Sequence, residues 1–486
     1  MKNNSYLAIL FFALLIVTGC EKLEDYQYNP NETSEGDPGL LLTNVEVNAF
    51  SSTVSLSAAL SCRQMVYTYG TSGAQYYNWT RAGFGMYSEL RQVIKMEEEA
   101  MKVDDGGNYL AIAKFFKAFY FLELTNTFGD IPFEEALMAT EELYTPQYSS
   151  QQTVFEGILQ LLEESNEMLS VDGGALTGDV IYNGDIAKWK KAVNSFRLRV
   201  LITLSKRDGD LGVGSRFAAI VNNPAKYPLI ESNADNLALT YYNIEGNEYP
   251  YFNNNDIKSG GYYLDASFVQ LLQDKQDPRL FTFADKKPSA AGLDDSDYDA
   301  YGGLDGSAEL STNTQQASAG EASPIDARYY SDAVNEPGIV IGYASTQFNL
   351  AEAAARGWIS ANPVTFYQEG ITASMQFYEV DTAAIDAYLA QSNVMYVPQN
   401  GIEMIITQKY IASFMNSGFE LFYTNRRTGF PEFKTDGGGV FNNEMIPTRW
   451  MYPQSEIDYN QDNLNEAIDR QYPEGDNING VMWLIK

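Results

Sequence analysis

The chain has 486 residues, 45 % of them hydrophobic, enough to bury a sizeable core without cross-links. Lys and Arg number 32 against 64 Asp and Glu, and the formal charge of -32 repels phosphate backbones and anionic lipid surfaces. Histidine is absent, which removes Ser-His-Asp and Cys-His nucleophile activation, HExxH metal sites and imidazole acid–base chemistry together.

At the start, Lys2 and the apolar stretch Tyr6 to Val17 read as a secretory leader over 1–19, because a membrane-spanning helix needs roughly 20 apolar residues. The "VTGC" spacing resembles a bacterial lipobox, so Cys20 is expected to be the lipid-modified N-terminus and the anchor. Residues 20–36, rich in Asn, Glu and Pro, read as a flexible tether, and 37–486 as a single body. Cys62 is then left without a partner for an intramolecular disulfide.

Within the body, "YGTSGAQYYNWTRAGFG" gathers Tyr76, Tyr77, Asn78 and Trp79 between glycines. These rings suit two roles: plugs in the core at the start of the next helix, or a stacking platform with Asn78 reading hydroxyls. Tyr109 to Leu124 is apolar nearly all round and predicts a central buried helix, stopped by Gly129 and Pro132 in "FGDIP". Stripes at helical spacing follow at Val154 to Leu169 and Ile186 to Leu204.

From 222 to 345 the chain is dense in Asn, Gly, Asp, Ser and Tyr, and only Asp265 to Gln273 reads as helix. This stretch predicts a loop-rich insertion over a helical scaffold, with "GIVIGY" as a minor strand. Its segment Tyr241 to Tyr263 interleaves Tyr249, Tyr251, Tyr262 and Tyr263 with Asn and Gly, the same chemistry as the 76–79 cluster. Asp295, Asp297 and Asp299 begin a calcium-loop pattern, but Ala300 and Gly306 stand where such a loop wants Gly and a bidentate Glu. A solvated acidic loop, with no metal or other cofactor, is the favoured reading there.

Helices resume at Gln347 to Trp358, with Glu352 and Arg356 paired at i,i+4, and at Asn362-Pro363, an N-cap followed by proline at the first helical position. Two more follow in "IEMIITQKYIASFMNSGFELFYTNRRTG", with a break near Asn416 to Gly418.

The segments "TFGDIPFEEA", "WKKAVNSFRLRVL", "FNLAEAAARGW", "ELFYTNRRTGFP" and "IPTRWMYPQSEIDYNQDNLNEAI" occur in the order found in one family. On them the chain resembles the SusD/RagB outer-membrane lipoproteins, SusD-like subgroup. The resemblance implies a mainly α fold of about four tetratricopeptide-like helix pairs, with a loop-rich ligand-binding part and minor β. It also implies a non-catalytic, cell-surface lid that captures oligosaccharides for a SusC-like TonB-dependent transporter. The same lid role for oligopeptides is the alternative, and a surface glycoside hydrolase a further one. The charges Glu21, Lys22, Glu24 and Asp25 resemble the acidic signals that send Bacteroidetes lipoproteins to the outer face of the outer membrane. Arg426, Arg427, Arg449 and Glu456 stand at family signature positions and are read as scaffold, since Arg near Gly/Pro turns satisfies carbonyls and buried carboxylates. Ligand is expected on Tyr76, Tyr77, Asn78, Trp79, Tyr249, Tyr251, Tyr262 and Tyr263, with Cys20 as lipid anchor.

Overall fold

Gly107–Phe128 folds as one helix whose apolar side chains point in every direction, so other elements must cover it on all sides. The computed structural model describes residues 36–486. The first helices in chain order are α1 (Pro38–Phe50), α2 (Met86–Ala100), the central α3 itself, α4 (Gln151–Met168), α5 (Ile186–Thr203) and α6 (Val213–Val221). Ser150 and Asp185 cap α4 and α5, accepting from the backbone amides of Thr153 and Lys188. Gly129 ends α3 at φ 93, a conformation that disfavours any side chain.

The later helices are α7 (Ala266–Asp274), α8 (Leu310–Ser318), α9 (Tyr343–Ala355), α10 (Pro363–Phe377), α11 (Thr382–Leu389), α12 (Gly401–Ala412), α13 (Glu420–Thr428) and α14 (Gln461–Gln471). Asn362 caps α10 by accepting from Val364, with Pro363 at the first position. The helices pack in pairs, α1 on α2, α3 on α4, α5 on α6 and α9 on α10, with α12 laid over the last pair. The fold is mainly α, as the sequence implies.

Strand content is minor: β1 (Met65–Tyr67), β2 (Ile131–Pro132), β3 (Tyr148–Ser149), β4 (Leu237–Leu239), β5 (Tyr262–Leu264) and β6 (Gly338–Ile341). They form three antiparallel ribbons, β1–β5, β2–β3 and β4–β6, so "GIVIGY" does supply a strand. The 222–345 stretch is richer than its composition suggests, because α8 forms there with only Asn313 buried and hence no apolar stripe to announce it.

Phe115, Phe116, Phe119, Trp189 and Phe196 pack edge-to-face or tilted where α3 meets α5. Phe348, Tyr367, Ile371, Met375 and Ile405 make a separate core under α9, α10 and α12. The signature residues serve the scaffold. Glu352 receives both Arg356 and Arg427, with Arg427 Nη2 donating at 2.9 Å. Arg426 Nη1 donates to the carbonyls of Asn126 and Thr448 at 2.8 and 2.7 Å. Arg449 pairs with Asp476 at 2.6 Å, and Glu456 accepts from the Tyr148 hydroxyl at 2.8 Å. Cys62 is buried, and burial pushes its thiol pKa up, which keeps it protonated.

Candidate functional site

β1 and β5 pair with Tyr67 opposite Tyr262 and Val66 opposite Tyr263. Strand alternation therefore puts Tyr67 and Tyr262 on one face of the ribbon and Val66 and Tyr263 on the other. On the first face the Tyr67 and Tyr262 rings lie 4.7 Å apart, and Tyr69 adds a third ring 6.1 Å from Tyr67. Tyr69 is 52 % exposed, while Tyr67 and Tyr262 are half-buried.

Polar neighbours fix these rings. The Tyr67 hydroxyl donates to Asp256 Oδ2 at 3.2 Å, and the Tyr69 hydroxyl donates to the Ser259 carbonyl. Asp256 stands on the turn Asn255–Lys258, capped by the Asn254 side chain. Gly261 lets that turn come close, since a Cβ there would meet the Asp256 carbonyl at 2.8 Å and the Tyr69 ring at 3.0 Å. The loop between β1 and Trp79 is pinned beneath: Gln75 Oε1 accepts from the Tyr67 amide at 2.7 Å, and Arg63 Nη1 donates to the Gln75 carbonyl at 2.5 Å. The result is a fixed, partly open aromatic face with a carboxylate at its rim, chemistry that stacks on the C–H face of a sugar ring and accepts from its hydroxyls.

The residues expected to carry ligand divide into three groups. Tyr76, Tyr77 and Tyr249 are 2, 0 and 1 % exposed, so they offer no ring face, and the platform role expected of them is corrected to core packing. The Tyr77 hydroxyl donates to the Ser61 carbonyl at 2.9 Å with the Arg63 guanidinium over its ring, and Tyr249 packs among Tyr241, Tyr251 and Tyr329. Trp79 and Tyr251 are half-buried and engaged: Trp79 stacks on Trp450, and the Tyr251 hydroxyl accepts from the Leu56 amide at 2.8 Å. Asn78 is exposed, Tyr262 lies on the tyrosine face, and Tyr263 packs on the reverse side against Val66, Leu304 and Ala322. Cys20 lies outside the described residues.

Tyr67 and Tyr69 were missed by sequence reasoning. Their signal is the period-2 run Met65 to Tyr69 ending at Gly70, too short to stand out. The acidic loop is organised by its own backbone: Asp297 accepts from the Asp299 amide, and Asp295 pairs with Lys286 at 2.7 Å. Among the described residues no group of three or more His, Cys, Asp or Glu is placed to hold a metal ion.

Residues 30–453 match the SusD-like family described as starch-binding and associating with the outer membrane. A SusD homologue from Bacteroides fragilis NCTC 9343 is 40 % identical over 93 % of this chain and 100 % of its own, with a TM-score of 0.86. An outer-membrane protein from Bacteroides vulgatus ATCC 8482, proposed for nutrient binding, is 38 % identical over 93 % of this chain and 100 % of its own, with a TM-score of 0.87. A second SusD homologue from Bacteroides fragilis NCTC 9343 is 34 % identical over 92 % and 100 % of the two chains, with a TM-score of 0.86. No curated protein matches. Among the described residues no helix is long and apolar enough to cross a membrane. SusD-like proteins are non-catalytic binding proteins. The chain belongs to the SusD-like family of outer-membrane nutrient-binding proteins.

Proposed function

We propose that the protein is a cell-surface lipoprotein, anchored through Cys20, that captures oligosaccharides and delivers them to a SusC-like TonB-dependent transporter as its lid. The observation that carries the ligand class is the tyrosine face: Tyr67 and Tyr262 in register with rings 4.7 Å apart, Tyr69 open beside them, and Asp256 at the rim. An open row of rings suits a chain of sugar units, each stacking weakly and releasing readily, as delivery requires. The family's description as starch-binding and associating with the outer membrane supports both the ligand class and the site of action. Asn78 is a further hydroxyl reader, exposed on the loop whose start, at Thr68, is bonded to Gly261 beside the face.

Two measurements test this reading. Purification of the full-length protein from outer membranes in mild detergent is expected to bring down a large β-barrel partner, and recovery of this chain alone would contradict the lid role. A printed array of oligosaccharides, starch fragments included, beside an array of oligopeptides is expected to show binding confined to sugars. Binding confined to peptides would overturn the ligand class.

A further inference from the structure

A cleft of about 580 Å³ opens between the start of α2, the middle of α3 and the N-terminal end of α13. That volume lies within the range of small-molecule pockets, about 300 to 1,000 Å³. Its wall is aromatic, with Phe119 and Tyr120 from α3, Phe419 just before α13, and Trp450. The tyrosine face contributes no residue to it.

Two polar groups in this apolar wall are incompletely matched. Tyr120 is 4 % exposed, and its hydroxyl has no hydrogen-bond partner among the described residues. Glu123, one turn further along the same helix face, receives a single long contact, 3.4 Å from Arg199 Nη2. Arg199 is engaged elsewhere: its Nη1 donates to the Val340 carbonyl at 3.0 Å and lies 3.4 Å from Glu420, which also holds Lys409 at 2.6 Å. The Glu123 side chain keeps 19 % exposure, more than twice the 8 % of Arg199. At the rim Glu89 adds a second carboxylate, held by Asn48 Nδ2 at 3.1 Å. Burial, with Glu420 nearby, pushes the Glu123 pKa up against the pull of Arg199.

A carboxylate largely withdrawn from water and short of donors is costly, and the least expensive ligand to seat beside it is one that brings a positive charge. Electron-rich rings around it favour the same ligand, because a cation over an aromatic face gains electrostatically. We propose that this cleft is a binding site for a small organic cation, a primary ammonium on an apolar or ring-shaped body. The ammonium donates to Glu123, and the body lies among Phe119, Phe419 and Trp450.

The test uses full-length protein in detergent and two probes of one shape, benzylamine, which is protonated at neutral pH, and benzyl alcohol, which is neutral. Titration calorimetry is expected to show benzylamine binding at millimolar concentration or below and benzyl alcohol at least about tenfold weaker, the scale of one charge-assisted hydrogen bond. Glu123→Gln is expected to weaken benzylamine by about tenfold and to leave benzyl alcohol unchanged. Gly85→Phe supplies a second variant that does not depend on the buried acid. Gly85 lines the cleft at φ -53, and an added Cβ there meets no atom within 4 Å, so the ring is expected to close the mouth and abolish benzylamine binding without lowering the melting temperature. Equal affinity for the two probes, no benzylamine binding at millimolar concentration, or unchanged affinity in a folded Gly85→Phe protein would each overturn the proposal.

Discussion

Trp79 and Trp450 lie face to face, their ring centroids 4.5 Å apart and their planes 11° from parallel. Phe422 and Tyr77 meet Trp79 edge-on, and its indole N–H donates to the Arg449 carbonyl at 3.1 Å. Trp79 is therefore a second layer behind Trp450, whose own ring lines the cleft. Trp79→Ala is expected to cost about 3 kcal/mol, the low end for removing a packed Trp, since one part of the ring remains exposed. Sugar affinity in the surviving folded fraction should be unchanged. Melting temperature and sugar affinity measured on one preparation decide this, and a stable variant with lost sugar binding would restore Trp79 to the ligand site.

Glu352 joins α9 to α13 through Arg427 and holds Arg356 on its own helix. Glu352→Gln leaves Arg427 buried beside a neutral group, and about 3 to 5 kcal/mol of stability should be lost at neutral pH. Burial alone would raise the Glu352 pKa, but Arg427 and then Arg356 reverse this and hold it at about 2. A depressed carboxyl pKa contributes stability that is present above the ordinary carboxylate range and lost as pH falls toward the folded value. The gap in melting temperature between wild type and Glu352→Gln should therefore narrow as pH is lowered from about 5 to 2. A gap that stays constant down to the acid limit would contradict the ion-pair account.

Glu336 is the opposite case. Burial pushes its pKa up to about 7, offset only in part by Arg328 and by a hydrogen bond from Asn416, each at 3.3 Å. Folded protein thus keeps this proton where the unfolded chain has released it, so stability falls as pH rises from the ordinary carboxylate range to about 7. The loss is at most about 3.5 kcal/mol from this group. Glu336→Gln should flatten that slope in melting temperature against pH, and an unchanged slope would rule Glu336 out as its source.

What could be read from the sequence depended on how local its cause is. The all-round apolar run of α3, its stop at Gly129, and the Asn362-Pro363 cap of α10 were all legible, because a few adjacent residues determine each. The α2 stripe of Leu90, Val93, Met96 and Ala100 was present but masked by the acidic run Glu97 to Glu99. α8 carried no stripe at all. At the site, tyrosine composition pointed to the right segments and not to the right rings. Tyr249 and Tyr262 sit in the same kind of sequence, and only the pairing of β5 with the distant β1 turns one of them outward. The cleft was illegible for the same reason, since Tyr120, Glu123 and Trp450 meet only after helices far apart in the chain have packed.

Sugar held on the tyrosine face fixes the outcome of one titration, that of the array-identified oligosaccharide into wild type and into the Tyr69→Ala/Tyr262→Ala double variant, with melting temperature recorded on both. Stacked rings contribute about 0.5 to 1.5 kcal/mol each beyond burial, so affinity should fall by about tenfold or more while the fold is kept. Undiminished affinity in a folded double variant would contradict the assignment.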